Sequence, residues 1–197
     1  MTFISVKPGT LLSPTPVVMV SCATVTQRPN IITVAWAGTV NSDPPMLSVS
    51  IRPDRHSHDI IRDSGEFVVN LVNRELLKAC DLCGVRSGRE YDKFSLCGLA
   101  PVPVSGLSSA PAIAQSPAYL ACRVKETLSL GSHTMFLGEI VIMGIEETLM
   151  DAAGKIDFHK AGLVAYSHGE YAGLTEPLGF FGFSVARPEV IRRRMRK

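Results

Sequence analysis

Hydrophobic and polar positions follow strand spacing over most of the chain. Val17–Val25 (VVMVSCATV) and Ile31–Trp36 (IITVAW) are near-continuous apolar runs rich in β-branched residues. This pattern predicts buried strands joined by a turn at Gln27–Asn30. Met46–Arg52 (MLSVSIR) alternates apolar residues with Ser, the period-2 signature of a strand with one wet face. Phe67–Val72 reads as a further strand. Tyr119–Leu130 and Thr134–Glu147 read as long neighbours joined by a loop containing Gly131. Leu163–Tyr166 and Tyr171–Leu174 flank Ser167–Gly169 as a hairpin. Helical signals are fewer. Ser57–Ser64 opens on a capping residue and stops at Gly65. Asn73 is placed to cap Arg74–Cys83, with Glu75 in its first turn and Gly84 as its stop. Prolines at 101, 103, 111 and 117 predict an irregular surface excursion over 100–117. Many strands with two short helices define a mainly β or α+β class, a β-barrel with helical decoration.

The composition fits one globular domain. The 197 residues are 46% hydrophobic and 19% charged, too apolar for a disordered chain. Net charge is only +2, so bulk electrostatics nominates no nucleic acid. The charge is unevenly placed. Residues 187–197 hold six bases and one acid; removing them from 20 bases and 18 acids leaves 14 and 17. The chain therefore divides into a domain over 1–186, at −3, and a basic C-terminal tail over 187–197, at +5. Such a tail can dock on RNA, anionic lipid or an acidic partner, although a solvated, frayed terminus is the commoner case. No apolar run approaches the roughly 20 residues of a membrane span. Leu11–Val25 is uncharged, but Pro14 and Pro16 interrupt it and only Lys7 precedes it, unlike a signal peptide. The expectation is a cytosolic protein, and an odd count of five cysteines agrees with unpaired thiols.

Three segments carry chemistry. In Arg52-Pro53-Asp54-Arg55-His56-Ser57, a strand passes into a helix whose first amides are unpaired and whose dipole is positive at that end. Arg55 adds a guanidinium fork and Ser57 a hydroxyl, so the segment suits a phosphate. In Asn30–Thr39 (NIITVAWAGT), the single Trp precedes Ala-Gly-Thr. Gly38 admits close backbone approach to a flat ligand, and Trp36 can wall it. In Gly131-Ser132-His133-Thr134, a histidine at a strand entry can donate a hydrogen bond or shuttle a proton. Each alone also reads as ordinary structure: a capped helix, a core Trp, a turn histidine. Cys80-x2-Cys83 lacks the further ligands that zinc requires, so both read as buried helix cysteines. There is no GxSxG, GxGxxG or P-loop, and thus no nucleophile elbow or Rossmann nucleotide site.

Taken in order, these segments resemble the flavin reductase-like family of FMN-binding split barrels, in particular the flavoredoxins. The run NIITVAWAGTVNSDPPMLSVSIRPDRHSHDIIRDSGEFVVNL carries the resemblance, followed by SGREYDKF, HTMFLGEIV and LVAYSHGEY. It covers residues 8 to 185. The resemblance implies an FMN-binding split β-barrel with short helical decorations, a homodimer and one FMN per subunit. It implies that Asn30, Trp36, Ala37, Gly38 and Thr39 line the isoalloxazine and ribityl chain. Ser50, Ile51, Arg52, Pro53, Asp54, Arg55, His56 and Ser57 would hold the ribityl and phosphate, the last three nearest the phosphate. Lys93 would add a charge at the phosphate or the flavin edge, His133 would sit by the ring as the candidate catalytic residue, and Tyr166 would pack on the flavin. The implied activity is electron transfer, either from NAD(P)H by hydride transfer or to and from a redox partner protein. A reading of another class is a non-catalytic barrel that binds RNA or another acidic partner through its tail. The low, scattered aromatic content shows no stacking platform for it.

Overall fold

The computed structural model describes residues 1–195. In chain order the strands are β1 (Thr15–Pro16), β2 (Val18–Cys22), β3 (Asn30–Val34), β4 (Ala37–Ser42), β5 (Pro45–Ile51), β6 (Glu66–Leu71), β7 (Pro101–Val102), β8 (Ala112–Ile113), β9 (Ala118–Ser129), β10 (Thr134–Ile145), β11 (Val164–Ser167) and β12 (Glu170–Gly173). The helices are α1 (His56–Ser64), α2 (Leu77–Val85), α3 (Lys93–Cys97) and α4 (Pro188–Met195). This is the mainly β class expected from the alternation pattern.

The main sheet has seven strands in the order β3-β2-β6-β9-β10-β5-β4, every pair antiparallel. Its edges are β3 and β4, which are consecutive in sequence. Only Ala35 and Trp36 separate them, so the sheet must curl until its two edges nearly meet. Ser50 donates its amide to the Trp36 carbonyl at 2.9 Å, pinning the linker beside β5. Among the described residues no ladder joins the edge strands β3 and β4, which makes the barrel a split one.

Strand alternation divides the apolar side chains between two cores. Val18, Val20, Cys22, Ile32, Val34, Phe67 and Val69 point inward with Val49, Ile51, Ile60, Ile61 and Phe136. Val17, Met19 and Ile31 point outward and pack with Leu76, Cys80, Cys83, Phe94 and Ile113. The continuous apolar runs of β2 and β3 are thus buried on both faces within one chain, and their excess apolarity needs no second subunit. Glu66, also buried, accepts from the Ser108 and Ser109 amides at 2.8–3.0 Å and anchors the irregular excursion to β6.

Several expected boundaries shift for physical reasons. The first helix begins at His56 with Arg55 in the cap position and no side-chain cap bond, because Ser57 lies inside the first turn. Gly65 ends it at φ 69°, donating to the Ile61 carbonyl. The second helix starts three residues later than its pattern, at Leu77. Asn73 Oδ1 accepts from the Leu76 amide in the turn before it, and Gly84 lies inside the helix. The tail is not frayed over 188–195. Those residues form α4, and the Arg194 guanidinium lies 4.2 Å from the Phe180 ring centroid. Arg196 and Lys197 of the basic tail lie outside the described residues. Among the described residues no helix is long and apolar enough to cross a membrane.

Candidate functional site

The barrel seam opens into three adjoining hollows. The first, of about 50 Å³, lies where β5 passes into α1. Arg55, His56 and Ser57 reach it from the start of α1, and Asn30 from the start of β3. Arg86, Ser87, Gly88 and Arg89 come from the loop after α2, and Lys93 from the start of α3. Amides in a helix's first turn lack intrahelical acceptors, so this end of α1 adds main-chain donors to the side-chain ones. Asp54 orders the cations. Its carboxylate lies 3.8 Å from Arg52 and 4.0 Å from Arg55, and its carbonyl accepts from Arg89 Nη1 at 2.7 Å.

Lys93 is 3% exposed. Its ammonium donates to the carbonyls of Ile31 at 2.8 Å and Cys83 at 2.7 Å. Burial pushes its pKa down, because both of these partners are neutral carbonyls. The same concentration of positive charge acts on His56. Burial first, then Arg89, Lys93 and Arg28, hold its pKa below the ordinary 6.5. Gly88 is fixed by close approach: a Cβ there would stand 2.1 Å from Asn30 Oδ1.

The second hollow, of about 260 Å³, shares Ile32 and Arg55 with the first. Ile32, Thr33 and Val34 line it from β3, Ser50 and Ile51 from β5, with Arg52, His133, Tyr166 and Tyr171. The Trp36 and His133 rings are parallel within 1°, their centroids 6.3 Å apart. Ser132 Oγ and His133 Nδ1 are 2.9 Å apart. Tyr166 meets Tyr171 edge to face at 5.7 Å, and the Tyr171 hydroxyl donates to Asp81 Oδ1 at 3.0 Å.

The third hollow is the largest, about 640 Å³, and shares Ala35, Trp36, Ser50 and Tyr166 with the second. Leu12, Ala37 and Gly38 line it, together with the hydroxyls of Thr10, Ser13, Thr15 and Ser48 and the imidazole of His168. Among the described residues no Asp, Glu, Lys or Arg lines it. A Cβ on Gly38 would meet no atom within 4 Å, so this backbone faces open space. His168 holds a left-handed φ of 47° at the hairpin tip, rare for a residue with a side chain.

The structure therefore brings Asn30, Asp54, Arg55, His56, Ser57 and Lys93 together at one end. Ser50, Ile51, Arg52, His133, Trp36 and Tyr166 stand in the middle, and Ala37 and Gly38 at the far end. Thr39 and Pro53 line none of the three hollows. Asn30 lies at the cationic end, away from Trp36. The sequence reading did not single out Arg86, Ser87, Gly88 and Arg89. Their signal was a basic, Gly-containing loop just after a helix. His168 and the residues of 10–15 carry no motif; the fold alone brings them to the third hollow.

A curled antiparallel sheet with a seam groove, cationic at one end and lined by uncharged side chains at the other, defines a split barrel. Residues 11–175 match the family model described as flavin reductase like domain, and the chain belongs to that family. Flavoredoxin of Desulfovibrio vulgaris (Miyazaki F) is 29% identical, with a TM-score of 0.87 over 94% of this chain and 100% of that one. Flavoredoxin from Methanosarcina acetivorans is 28% identical, with a TM-score of 0.85 over 94% and 100%. An FMN-binding protein from Thermus thermophilus, solved with bound 1-cyclohex-2-enone, is 26% identical, with a TM-score of 0.73 over 90% and 96%.

Proposed function

We propose that this chain is an FMN-binding flavoprotein of the flavoredoxin and flavin reductase type. The observation that carries the reading is the polarity of the seam groove. Its donor set is cationic where a terminal phosphate would lie and aromatic where a flat ring would lie. FMN joins those two groups through a polyol chain, which suits the Ser50 hydroxyl between them. When bound, the flavin supplies the electron chemistry, and the protein supplies orientation and electrostatics.

This chain's own groups divide the work. Arg55, Arg86 and Arg89 bind the anion by charge-assisted bonds, and Asp54 sets the Arg89 position. Lys93 adds positive charge from beneath. Trp36 and Tyr166 exclude water from the ring's place, and His133 is positioned to hold or donate a proton there. NAD(P)H as hydride donor and a redox protein as electron partner both belong to this reading. The third hollow favours an uncharged organic acceptor as well, since no Asp, Glu, Lys or Arg among the described residues lines it. The ring ligand held by the Thermus thermophilus relative is of that kind. A homodimer also belongs to the reading. Phe3, Ile4, Leu12, Leu178, Phe181 and Val185, near the two chain ends, are exposed in the single subunit.

The test is direct. The purified protein should be yellow, absorbing near ~450 nm as oxidised flavin does. A colourless protein that gains no spectral change on FMN titration overturns the proposal.

A further inference from the structure

We propose that Cys83 and Cys97 are a disulfide-forming pair whose oxidation loosens the anion cradle, a role that rests on the flavin reading above. The two sulfurs lie 3.8 Å apart, and both thiols are free. Cys83 sits in the last turn of α2, and Cys97 is the last residue of α3, just before Gly98 in the left-handed conformation. The segment between them contains Arg86, Ser87, Gly88, Arg89 and Lys93. A bond between the sulfurs would therefore close a ring around this side of the cradle. Cys83 also touches the cradle directly: it lines the first hollow, and its carbonyl holds the Lys93 ammonium at 2.7 Å. The neighbouring Cys80 is otherwise engaged, its sulfur 3.8 Å from Thr33 Oγ1.

The two thiols are unequal, and this orders the chemistry. Cys97 is partly exposed, whereas Cys83 is fully buried. Burial, reinforced by Cys97, pushes the Cys83 thiol up to about 12. A hydroperoxide from solvent therefore reacts first at Cys97. The peroxide O–O bond breaks, the Cys97 sulfur gains a hydroxyl as a sulfenic acid, and water leaves when the oxidant is hydrogen peroxide. The Cys83 sulfur then attacks the Cys97 sulfur. The S–S bond forms, the S–O bond breaks, and the hydroxyl departs as water with the Cys83 proton. Two thiols lose two electrons and two protons, and one peroxide becomes two waters.

Closing the ring pulls on the cradle. A disulfide needs its sulfurs about 2.05 Å apart, so the 3.8 Å gap closes by a shift shared between the two side chains and the ends of α2 and α3 that carry them. The loop they carry is closely packed at Gly88, where a Cβ would stand 2.1 Å from Asn30 Oδ1, so such a shift is felt at the cradle wall. Displacing Lys93 or the loop amides costs a charge-assisted contact, and FMN affinity falls about tenfold or more.

The experiment treats the purified protein with stoichiometric hydrogen peroxide, alkylates the remaining thiols and maps the peptides by fragmentation. FMN affinity is measured by equilibrium dialysis before oxidation, after it, and after reduction with dithiothreitol. The expected result is a Cys83–Cys97 link with a loss of two hydrogens, weakened FMN binding, and recovery on reduction. Cys97→Ser should bind FMN like the reduced wild type and not respond to peroxide. Both thiols remaining alkylatable overturns the proposal, as does pairing through Cys80 or Cys122, or a link that leaves FMN affinity unchanged. A reduced protein that binds no FMN instead overturns the flavin reading, and the peptide map still reports the link.

Discussion

Asn30 Nδ2 donates a hydrogen bond to Ser57 Oγ over 2.8 Å, and both residues are buried. The bond ties the first residue of β3 to the first turn of α1 across the barrel seam. The Ser57 hydroxyl also hydrogen-bonds the buried Cys22 thiol, and Asn30 Oδ1 faces Gly88. One side-chain pair thus sets the spacing between the two walls of the anion site.

Loss of an anion contact should discriminate between ligands. On the FMN reading, Arg55→Ala and Ser57→Ala would each remove one bond to the phosphate, worth roughly 1.5–3 kcal/mol when charge-assisted. FMN affinity should fall about 10- to 100-fold. Riboflavin has no phosphate, so its affinity should hardly change. Parallel titrations of both ligands decide the matter; equal weakening would mean that the segment only supports the fold.

Gly88→Ala should be costly for a steric reason. The new methyl would overlap Asn30 Oδ1, and relieving it breaks the spacing described above. Denaturant unfolding should show a loss of roughly 1–3 kcal/mol, the usual range for overpacking. Adding Asn30→Ser to this variant should restore part of the stability. A Gly88→Ala protein as stable as wild type would contradict the packing.

His133 should matter for electron entry more than for cofactor retention. It lines the middle hollow with Trp36, outside the cationic end that Arg86 and Arg89 form. His133→Ala should keep FMN largely bound while reduction by NAD(P)H slows by about 10²-fold, the lower range for a lost acid or donor. Single-turnover reduction at the wild-type rate would assign His133 to structure only.

Stability should depend on pH through His56. Burial and then Arg89 hold its folded pKa below the ordinary 6.5. As pH falls below 6.5 the unfolded chain takes up this proton before the folded one does, so His56's contribution is present above 6.5 and lost below it. Without FMN, His56→Gln should flatten the fall in melting temperature between neutral pH and the acid side. An unchanged slope would show that other groups carry it.

Assembly is checked by light scattering. A dimer covering the exposed apolar residues near the chain ends should give twice the 21.3 kDa of one chain at micromolar concentration. Single-chain mass under those conditions would refute it.

The strands were legible because alternation and β-branching are local. Met46–Arg52 and Phe67–Val72 fall within one residue of β5 and β6. β4 was not legible: AGTVNS is polar, exposed and at a sheet edge, so no buried face marks it. Nor was α3, whose five residues are too few for a period. In the site, Arg55 and His56 were readable from the strand-to-helix passage. Lys93 was nominated as a charge, but its two carbonyl partners come from β3 and α2, and no spacing along the chain reveals such a contact. The same holds for Arg89, which meets Asp54 35 residues away.

Trp36 is the chain's one tryptophan, and it lines both the middle and the far hollow. It is 46% exposed, so its emission is sensitive to whatever displaces solvent on either side. The protein therefore contains a built-in optical gauge at the junction of its two ring-sized spaces. Ultraviolet fluorescence can follow filling of the groove without any label, and no second indole contributes background.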